Sequence, residues 1–287
     1  MKKKIIIGLL ALLIVVGATV FWLTRPPKIG KEVQNAIDKE EVIDSNIPTV
    51  FMHGYAGTKN SLGKMIERFD ESGVATKGLI LTMKKDGTIE ATGELDTTKK
   101  NPTIQFIYED SRVSVEDNIL WLVDLMKELK SNYGIETIHF VGHSLGGVAG
   151  LYYLEEHASD AHFPHIQKFV AIGSPFNGLY IADDGVSPYD FGPTGPQTET
   201  ERFTFFKENK EKIPADTHIL NIAGDVEDGT KSDESVAVSS ALSIRFMLNP
   251  QHYQEKVFYG AKAQHSALHE NDQVDAEVLK FLWSNNQ

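Results

Sequence analysis

The sequence predicts one α/β domain in which a mostly parallel, twisted sheet is covered by helices on both faces. From Ile47 onward, short apolar runs alternate with amphipathic stretches, the order typical of parallel strands joined by helices. About 260 residues follow the N-terminal apolar segment, a length that can bury a sizeable core in a single unit. The chain contains no cysteine, which excludes disulfides, thiolate metal sites and a cysteine nucleophile.

Segments rich in β-branched and aromatic residues are predicted to be strands, and amphipathic segments are predicted to be helices. The predicted strands are Thr49–Met52, Leu79–Met83, Thr88–Thr92, Thr103–Tyr108, Thr137–Val141, Lys168–Ile172, His218–Ile222 and Lys256–Tyr259. The predicted helices are Ser61–Glu71, Val115–Asn132, Gly146–Glu156, Glu201–Asn209 and Asp272–Trp283. The helix Val115–Asn132 has an apolar face that we expect to lie on the sheet. That face consists of Ile119, Leu122, Val123, Met126 and Leu129.

Two stretches interrupt the alternation of strands and helices. Leu81–Leu95 centres on Asp86-Gly87, a strong turn signal, and predicts an extra β-hairpin. Asn177–Pro196 is rich in Gly, Pro and Asp and has no periodicity. This second stretch is predicted to be a long, lid-like insertion.

Residues 1–27 are predicted to form an N-terminal signal-anchor or transmembrane segment. Ile5–Leu23 carries no charge and is long enough nearly to cross a hydrocarbon core of about 30 Å. Three lysines, Lys2 to Lys4, precede it and should stay in the cytoplasm, so we expect a cell-membrane protein with its main domain outside the cell. The alternative is secretion after cleavage of a signal peptide near Ala18.

After this segment, residues 28–45 are predicted to be a stalk with some helix, and residues 46–287 to be the main domain. The formal net charge is −12, although three of the positive charges lie in the N-terminal segment. Such an acidic body, with no basic patch evident, repels phosphates. The composition therefore disfavours nucleic acid as a partner.

The clearest chemical signal is Gly142-His-Ser144-Leu-Gly146, between a predicted strand and a predicted helix. A serine on such a tight strand-to-helix turn holds its hydroxyl above the sheet, and the glycines allow close approach of backbone. Ser144 is therefore the predicted nucleophile. The alternative is a glycine-rich turn that binds phosphate, but no lysine follows the motif and Gly-x-Gly-x-x-G is absent.

An apolar strand ends in His53-Gly54-Tyr-Ala-Gly57 near the start of the main domain. A loop at this position builds half of an oxyanion hole, the set of N–H donors that stabilises a tetrahedral intermediate. We predict that the backbone N–H groups of Tyr55 and Leu145 are these donors. His53 itself is interpreted as a structural residue that fixes the loop by hydrogen bonds.

The general base should lie late in the chain, because the order in such folds is serine, acid, histidine. His265 follows the last predicted strand and precedes the last predicted helix, so it is the preferred base. His269 is the alternative, although it lies at or inside the start of that helix. No metal or organic cofactor is required by this chemistry, and no metal site is predicted.

The acid should follow the predicted strand His218–Ile222, where three aspartates are available. Asp233 precedes an apolar stretch that would be buried while the carboxylate points to the histidine, so Asp233 is the preferred acid. Asp225 and Asp228 remain alternatives, and Asp225 could instead bind the amides of a turn.

Together, Pro48–Gly57, Gly142–Gly147, Ser232–Ser240 and Gln264–Asn271 resemble the α/β-hydrolase superfamily, near small bacterial lipases and esterases. More narrowly, the chain is similar to a group of largely uncharacterised bacterial cell-surface α/β hydrolases. The hairpin sequence Asp86–Gly93 and the phrase Gly173–Gly178 recur in that group.

The resemblance covers the chain from about residue 45 onward and implies an α/β-hydrolase fold with 46–287 as the catalytic domain. Ser144, Asp233 and His265 are the catalytic positions that it implies. Ala237 stands where relatives often have a proline, which departs from the pattern around Asp233.

These inferences predict a serine hydrolase that cleaves carboxylic esters, with a small-molecule or lipid ester as substrate. An amidase or peptidase on the same fold is an alternative, and so is a catalytically silent cell-surface binding protein. One set of aromatic residues either lines an apolar acyl pocket or packs the lid on the core. The set comprises Phe176, Tyr180, Tyr189, Phe191 and the cluster Phe203–Phe206.

Overall fold

A computed structural model of the protein describes residues 30–39, 42–179 and 190–284. Within these ranges, no helix combines the length and the apolar character needed to cross a membrane. The segment 1–27, predicted to be an anchor, lies outside the described residues, as do residues 180–189 of the predicted lid-like insertion.

The elements follow the predicted alternation of strands and helices. The helices of the described ranges are α1 (Lys31–Lys39), α2 (Gly63–Glu71), α3 (Val115–Tyr133), α4 (Leu145–Glu156), α5 (Glu201–Asn209), α6 (Val238–Ala241) and α7 (Asp272–Trp283). The strands are β1 (Thr49–Met52), β2 (Thr76–Met83), β3 (Ile89–Thr92), β4 (Pro102–Tyr108), β5 (Thr137–His143), β6 (His165–Ile172), β7 (Phe191–Gly192), β8 (Gly195–Pro196), β9 (His218–Asp225) and β10 (Tyr253–Tyr259).

In the described part of the chain, eight strands form one sheet in the order β10-β9-β6-β5-β1-β4-β2-β3. All neighbouring pairs are parallel except β2 and β3, which pair as the predicted antiparallel hairpin. β5 lies in the middle, between β1 and β6. The α/β-hydrolase fold predicted from the sequence is therefore confirmed.

Helices cover both faces of the sheet, and alternate residues of the central strands enter separate cores. Val50 and Met52 of β1 pack in the core beneath α3 and α4. Phe51, between them, packs in the other core, with α2 and α7. The sheet is therefore buried on both faces. The carboxyl ends of its parallel strands lie along one edge.

Part of the predicted stalk packs against the domain. Helix α1 buries Val33 and Ala36, whose spacing forms an apolar stripe, and α1 lies against α7. The Ile43 amide then donates to the Trp283 carbonyl oxygen at 2.9 Å. Residues 31–39 and 42–45 of the predicted stalk therefore pack against the domain, which the apolar stripe of α1 explains.

The predicted apolar face of α3 is partly wrong. Leu122, Met126 and Leu129 are buried as expected, and Leu125 joins them. Ile119 and Val123 are only half-buried, because the buried stripe is rotated toward Asn118, which is itself buried. Ser114 caps the start of this helix by accepting a hydrogen bond from the Asp117 amide at 3.0 Å.

The described ends of the lid-like insertion are tied down by one asparagine. Asn177 donates from Nδ2 to the Thr198 carbonyl oxygen at 2.9 Å and accepts from the Thr200 amide at 2.9 Å. Between these contacts, β7 and β8 form a short antiparallel ladder. The predicted loop thus contains, at its C-terminal end just before α5, a short hairpin whose two strands have two residues each.

Candidate active site

Ser144 lies on the tight turn between β5 and α4, as the motif predicts. Its φ of 55° and ψ of −124° are outside the regions that residues with a Cβ normally adopt, so the backbone is strained here. Its amide donates to the Ile172 carbonyl oxygen at 2.9 Å, which ties the turn to the end of β6. The side chain is 7% exposed at the carboxyl edge of the sheet.

The glycines on either side of Ser144 allow this turn to pack. A Cβ on Gly142 would lie 2.5 Å from the amide nitrogen of Gly147, inside the same turn. A Cβ on Gly146 would lie 2.5 Å from the carbonyl oxygen of Met52, at the end of β1. The spacing of the motif therefore has a physical reason, because both positions exclude any larger residue.

His265 connects Ser144 to a carboxylate. Its Nε2 lies 3.0 Å from Ser144 Oγ, and its Nδ1 lies 2.7 Å from Asp233 Oδ2. Because an ionised carboxylate only accepts, Nδ1 carries the proton and donates it to Asp233. Nε2 is then free to accept the hydrogen of the Ser144 hydroxyl. The structure thus brings together the three preferred residues, with His265 between Ser144 and Asp233.

Asp233 is buried, and its surroundings suit a negative charge. Its Oδ1 accepts hydrogen bonds from the amides of Ser235 at 2.9 Å and Val236 at 2.6 Å. Its carbonyl oxygen also accepts from the His265 amide at 2.9 Å, so the acid loop and the histidine loop are joined twice. Val236 and Ala237 are buried, as expected for the apolar stretch after the acid.

The alternative acids serve local turns. Asp225 Oδ1 accepts from the Glu227 amide at 2.9 Å, the turn-forming role considered for it from the sequence. Asp228 Oδ1 accepts from the amide and hydroxyl of Thr230, and these bonds lower the pKa of Asp228. Neither carboxylate contacts His265 among the contacts of the described residues.

The alternative base, His269, lies in the single 3₁₀ turn Leu268–Glu270. Its Nδ1 faces Glu270 Oε1 at 3.2 Å, and its ring packs edge-on against His143 with centroids 4.8 Å apart. Ser144 Oγ is bonded to His265 instead. The structure therefore places His269 beside the site without bringing it to the nucleophile.

The loop that carries Tyr55 packs against the turn that carries Leu145, the other predicted oxyanion donor. A Cβ on Gly54 would lie 2.7 Å from Ser144 Cβ and 3.0 Å from the Leu145 amide nitrogen, so the loop that carries Tyr55 passes directly against the turn. Within the described ranges, neither the Tyr55 amide nor the Leu145 amide donates a hydrogen bond. The Leu145 amide also begins α4, where the helix dipole favours negative charge.

His53 has the structural position expected from the sequence. Its Nδ1 lies 2.8 Å from the Gly54 carbonyl oxygen, and its Nε2 accepts from the Tyr108 amide at 3.3 Å. These partners fix the Nδ1–H tautomer. Burial lowers the pKa of His53, which keeps the ring neutral.

Sequence reasoning assigned no role to His143, which contacts the base. Its Nε2 donates to the His265 carbonyl oxygen at 2.9 Å, and the two rings lie 4.7 Å apart. Burial lowers the pKa of His143 well below its ordinary value, so this donor stays neutral. The only sequence signal was its position between Gly142 and Ser144.

Arg68 was also missed, because it lies far away in the sequence. It is buried and donates to the His269 carbonyl oxygen at 2.9 Å, to Asp275 Oδ1 at 2.9 Å and to Glu270 Oε2 at 3.2 Å. Arg68 therefore holds the turn that follows His265 against α2 and α7. Nothing in the sequence around Arg68 indicates this contact.

Gly173 follows β6 and packs closely against the acid and the base. Its φ is 56°, and a Cβ there would lie 3.1 Å from Asp233 Oδ2 and 3.4 Å from His265 Nδ1. Gly173–Gly178 recurs in the group that the chain resembles, but the sequence alone indicates no role for it. The geometry supplies one, since a larger residue would press on the bond between Asp233 and His265.

The sheet order, the strained serine turn after β5 and the histidine after the last strand define an α/β hydrolase. The chain belongs to the DUF915 family, described as alpha/beta hydrolases of unknown function, whose model matches residues 37–285. Comparison with curated protein sequences gives no significant match.

Two solved structures are similar to this chain over most of its length. The product of the gene lin2722 from Listeria innocua is 32% identical, with a TM-score of 0.75, and the match covers 82% of this chain and 93% of that one. A candidate cell surface hydrolase from Lactobacillus plantarum is 23% identical, with a TM-score of 0.67, over 82% of this chain and 91% of that one. The second similarity supports the fold alone.

Proposed function

We propose that the protein is a serine hydrolase that cleaves carboxylic esters through an acyl-enzyme, with Ser144 as the nucleophile. The observation that carries the proposal is the continuous chain of hydrogen bonds from Ser144 Oγ through His265 to Asp233, at 3.0 Å and 2.7 Å. Such a chain orients one imidazole nitrogen toward the hydroxyl and provides a carboxylate for the other.

In the proposed first step, Ser144 Oγ attacks the ester carbonyl carbon while His265 Nε2 takes the hydroxyl proton. Asp233 stabilises the imidazolium that forms and holds its tautomer. The negative charge on the former carbonyl oxygen is met by the N–H groups of Tyr55 and Leu145. Each such donor stabilises the transition state by roughly 3 kcal/mol.

Collapse of this intermediate breaks the bond to the alcohol, which leaves with the proton from His265. A water molecule then attacks the acyl carbon on Ser144 while His265 takes one of its protons. A second tetrahedral intermediate expels Ser144 Oγ, which regains its proton from His265. The products are a carboxylic acid and an alcohol, and one water molecule is consumed.

The proposed location is the cell membrane, with the catalytic domain outside the cell. Support comes from the sequence, in which Lys2, Lys3 and Lys4 precede the uncharged segment Ile5–Leu23. Protease treatment of intact cells should then degrade the domain. In untreated cells, mass spectrometry of the purified chain should find its N-terminus uncleaved. A mature chain beginning after about residue 20 would instead favour secretion.

Labelling with a fluorophosphonate probe tests the proposed chemistry directly. We expect the full-length chain to be labelled and the Ser144→Ala variant to remain unlabelled. A folded wild-type chain that resists labelling would favour a silent binding protein. Parallel assays with acetate esters and aminoacyl amides then distinguish an esterase from an amidase, because the proposal requires faster turnover of esters.

A further inference from the structure

Helix α3 carries a second apolar stripe, which its contact with the core beneath it buries only in part. Leu122, Leu125, Met126 and Leu129 form the buried stripe. A second row at intervals of four residues, Val115, Ile119 and Val123, is only half-buried, and Leu120 beside it is 60% exposed. A helix that packs on one sheet needs one apolar stripe. The second stripe therefore indicates another apolar contact.

This second stripe forms one wall of a cleft of about 950 Å³. The facing wall is made by Val148 and Tyr152 of α4 and by Phe205 and Phe206 of α5. The Tyr152 and Phe205 rings stack in parallel, with centroids 4.9 Å apart. Clefts that bind small molecules typically measure about 300–1,000 Å³ and have mainly apolar walls, so this cleft has the size and chemistry of a ligand site.

Phe205 is the member of the predicted aromatic set whose half-buried ring faces the cleft. Phe176, Phe203 and Phe206 are at most 1% exposed and pack in the core, although Phe206 also borders the cleft. Phe191 packs against Phe246 instead, with centroids 5.2 Å apart. Tyr180 and Tyr189 lie outside the described residues. The two sequence interpretations of this set thus apply to different members.

The cleft begins one helical turn from the nucleophile. Ser144, Asp233 and His265 do not line it, but the Val148 amide donates to the Ser144 carbonyl oxygen at 3.3 Å. Tyr152 lies one turn further along α4. Eight residues of helix rise about 12 Å, so the stacked rings lie roughly that far from Ser144 along α4.

The rim of the cleft is acidic. Glu116, Glu199 and Glu201 line it together with one arginine, Arg202. Arg202 donates to the Pro175 carbonyl oxygen at 2.8 Å, and Glu199 pairs with Lys207 at 2.7 Å. With Arg202 and Lys207 each offsetting one of the three carboxylates, one net negative charge remains at the rim of a chain of net charge −12, which disfavours a ligand that carries a carboxylate. An uncharged apolar chain meets no such opposition.

We propose that this cleft binds the acyl chain of a neutral ester, with the ester carbonyl at Ser144 and the end of the chain at the Tyr152–Phe205 stack. The inference rests on the proposed hydrolase function and adds the substrate class. With carbon–carbon bonds of about 1.5 Å, an extended chain of roughly eight to ten carbons covers the path to the stacked rings. Medium-length acyl chains are therefore the preferred substrates.

The test compares kcat/KM for p-nitrophenyl esters from acetate to dodecanoate on the full-length chain. Each added methylene should raise kcat/KM about two- to four-fold until roughly C8–C10, where the rise should stop. Ile119→Asn should lower the ratio of kcat/KM for the decanoate ester to kcat/KM for the acetate ester about 10- to 100-fold. Phe205→Ala should shift the optimum to longer chains, because it removes the end wall.

Ile89→Asn provides the matched control, since Ile89 is a partly buried apolar residue on the edge strand β3, on another part of the molecule. It should leave the ratio of decanoate to acetate turnover unchanged. An Ile119→Asn variant that folds and keeps the wild-type ratio would overturn the inference. In that case acetate turnover that depends on Ser144 would leave the proposed function intact.

A binding measurement separates the two proposals further. Calorimetry on the Ser144→Ala variant should show binding of 1-decanol and weaker binding of the decanoate anion, because of the acidic rim. Loss of decanol binding in a Ser144→Ala, Ile119→Asn double variant would support the cleft as the site. Decanol binding by a chain that cleaves no ester and takes no fluorophosphonate label would contradict both the hydrolase function and the assignment of the cleft to a substrate.

Discussion

The turn that carries Ser144 and the loops that carry Asp233 and His265 are built in different ways. The turn is specified by neighbours in the sequence, because the glycines at 142 and 146 let β5, α4 and β1 meet. The base loop is held by a residue distant in the sequence, since Arg68 reaches His269 across 201 positions, and the acid loop is joined to it by the bond between Asp233 and His265. The nucleophile is thus positioned by local sequence, and the acid and base are positioned by tertiary contacts.

The largest expected effect distinguishes the two candidate histidines on the base loop. His265→Ala should lower kcat about 10⁶-fold, because a nucleophile without its base loses most of its activation. His269→Ala should keep most of the turnover, since its ring packs against His143 and does not reach Ser144. Steady-state kinetics on both variants measures the difference. Equal losses would contradict the assignment of His265 as the base.

The second effect concerns the acid loop. Asp233→Asn preserves the shape of the side chain but can present an amide to Nδ1, which favours the wrong tautomer of His265 and should lower kcat about 10⁴-fold. Asp225→Asn is the matched control, because Asp225 bonds its own turn. It should keep near-normal turnover. A large loss of turnover in Asp225→Asn, with normal turnover in Asp233→Asn, would identify Asp225 as the acid instead.

The contrast between turn and loops also sets how much could be predicted from the sequence. Ser144 was identified at once, because its motif, its preceding strand and its following helix are contiguous. Asp233 and His265 were preferred by chain order and resemblance, with three other residues left open. Only contacts in the structure distinguish Asp233 from the other two candidate acids. The spacing of Asp225 and Asp228 in the sequence does not show that their carboxylates bond to their own turns.

Packing over long distances explains what the sequence analysis missed elsewhere. The strands of the eight-stranded sheet were found because their β-branched runs are local, although β9 continues to Asp225 and β5 to His143. The short strands β7 and β8, which lie in the predicted loop, were missed. Arg68 gave no signal, because its three partners are all near the C-terminus. The rotated face of α3 was missed because periodicity indicates a stripe without showing whether the sheet or a cleft lies against it.

Removing Arg68 tests whether the base loop depends on its distant contact. Arg68→Met leaves Asp275 buried without its cation, which should lower the free energy of unfolding by about 3–5 kcal/mol in urea. The double variant Arg68→Met, Asp275→Leu should regain most of that stability, because no uncompensated charge stays buried at this site. Turnover should remain reduced in the double variant, since the His269 carbonyl still lacks its donor.

A stability change that leaves turnover normal in the double variant would mean that Arg68 serves the core alone. The loop would then be held by the contact between His143 and the His265 carbonyl oxygen. That outcome would weaken the contrast between the locally built turn and the loops, because His143 belongs to the turn. The two measurements together therefore separate stability from positioning.

Helix α4, which follows the nucleophile, carries a buried carboxylate in a different situation from Asp275. Glu155 is 3% exposed, and neither of its carboxylate oxygens has a hydrogen-bond partner among the described residues. Burial raises its pKa from the ordinary 4.5 to about 9. The folded chain thus holds a proton that the unfolded chain releases above about pH 4.5, so this group makes stability fall as the pH rises toward 9.

Glu155→Gln should therefore raise the free energy of unfolding at pH 8 by about 2–4 kcal/mol. It should also remove a fall in that free energy which, in the wild-type chain, reaches up to about 1.4 kcal/mol per pH unit between pH 5 and 9. The neighbouring Glu156→Gln is the control, because Glu156 is exposed and pairs with Lys212. It should change stability by less than about 1 kcal/mol. Urea unfolding across this pH range measures both, and identical profiles for the two variants would contradict the assignment.

The smallest expected effect tests the support beneath the acid and base. Gly173→Ala places a methyl group 3.1 Å from Asp233 Oδ2, which should displace the carboxylate slightly and lower kcat about 10- to 100-fold. Gly134→Ala is matched in backbone strain, with a φ of 65° against 56°, but a Cβ there meets no atom within 4 Å. Both variants should lose similar stability, and only Gly173→Ala should lose turnover. Equal turnover in the two would show that Asp233 and His265 tolerate displacement, in contrast to the rigid turn of Ser144.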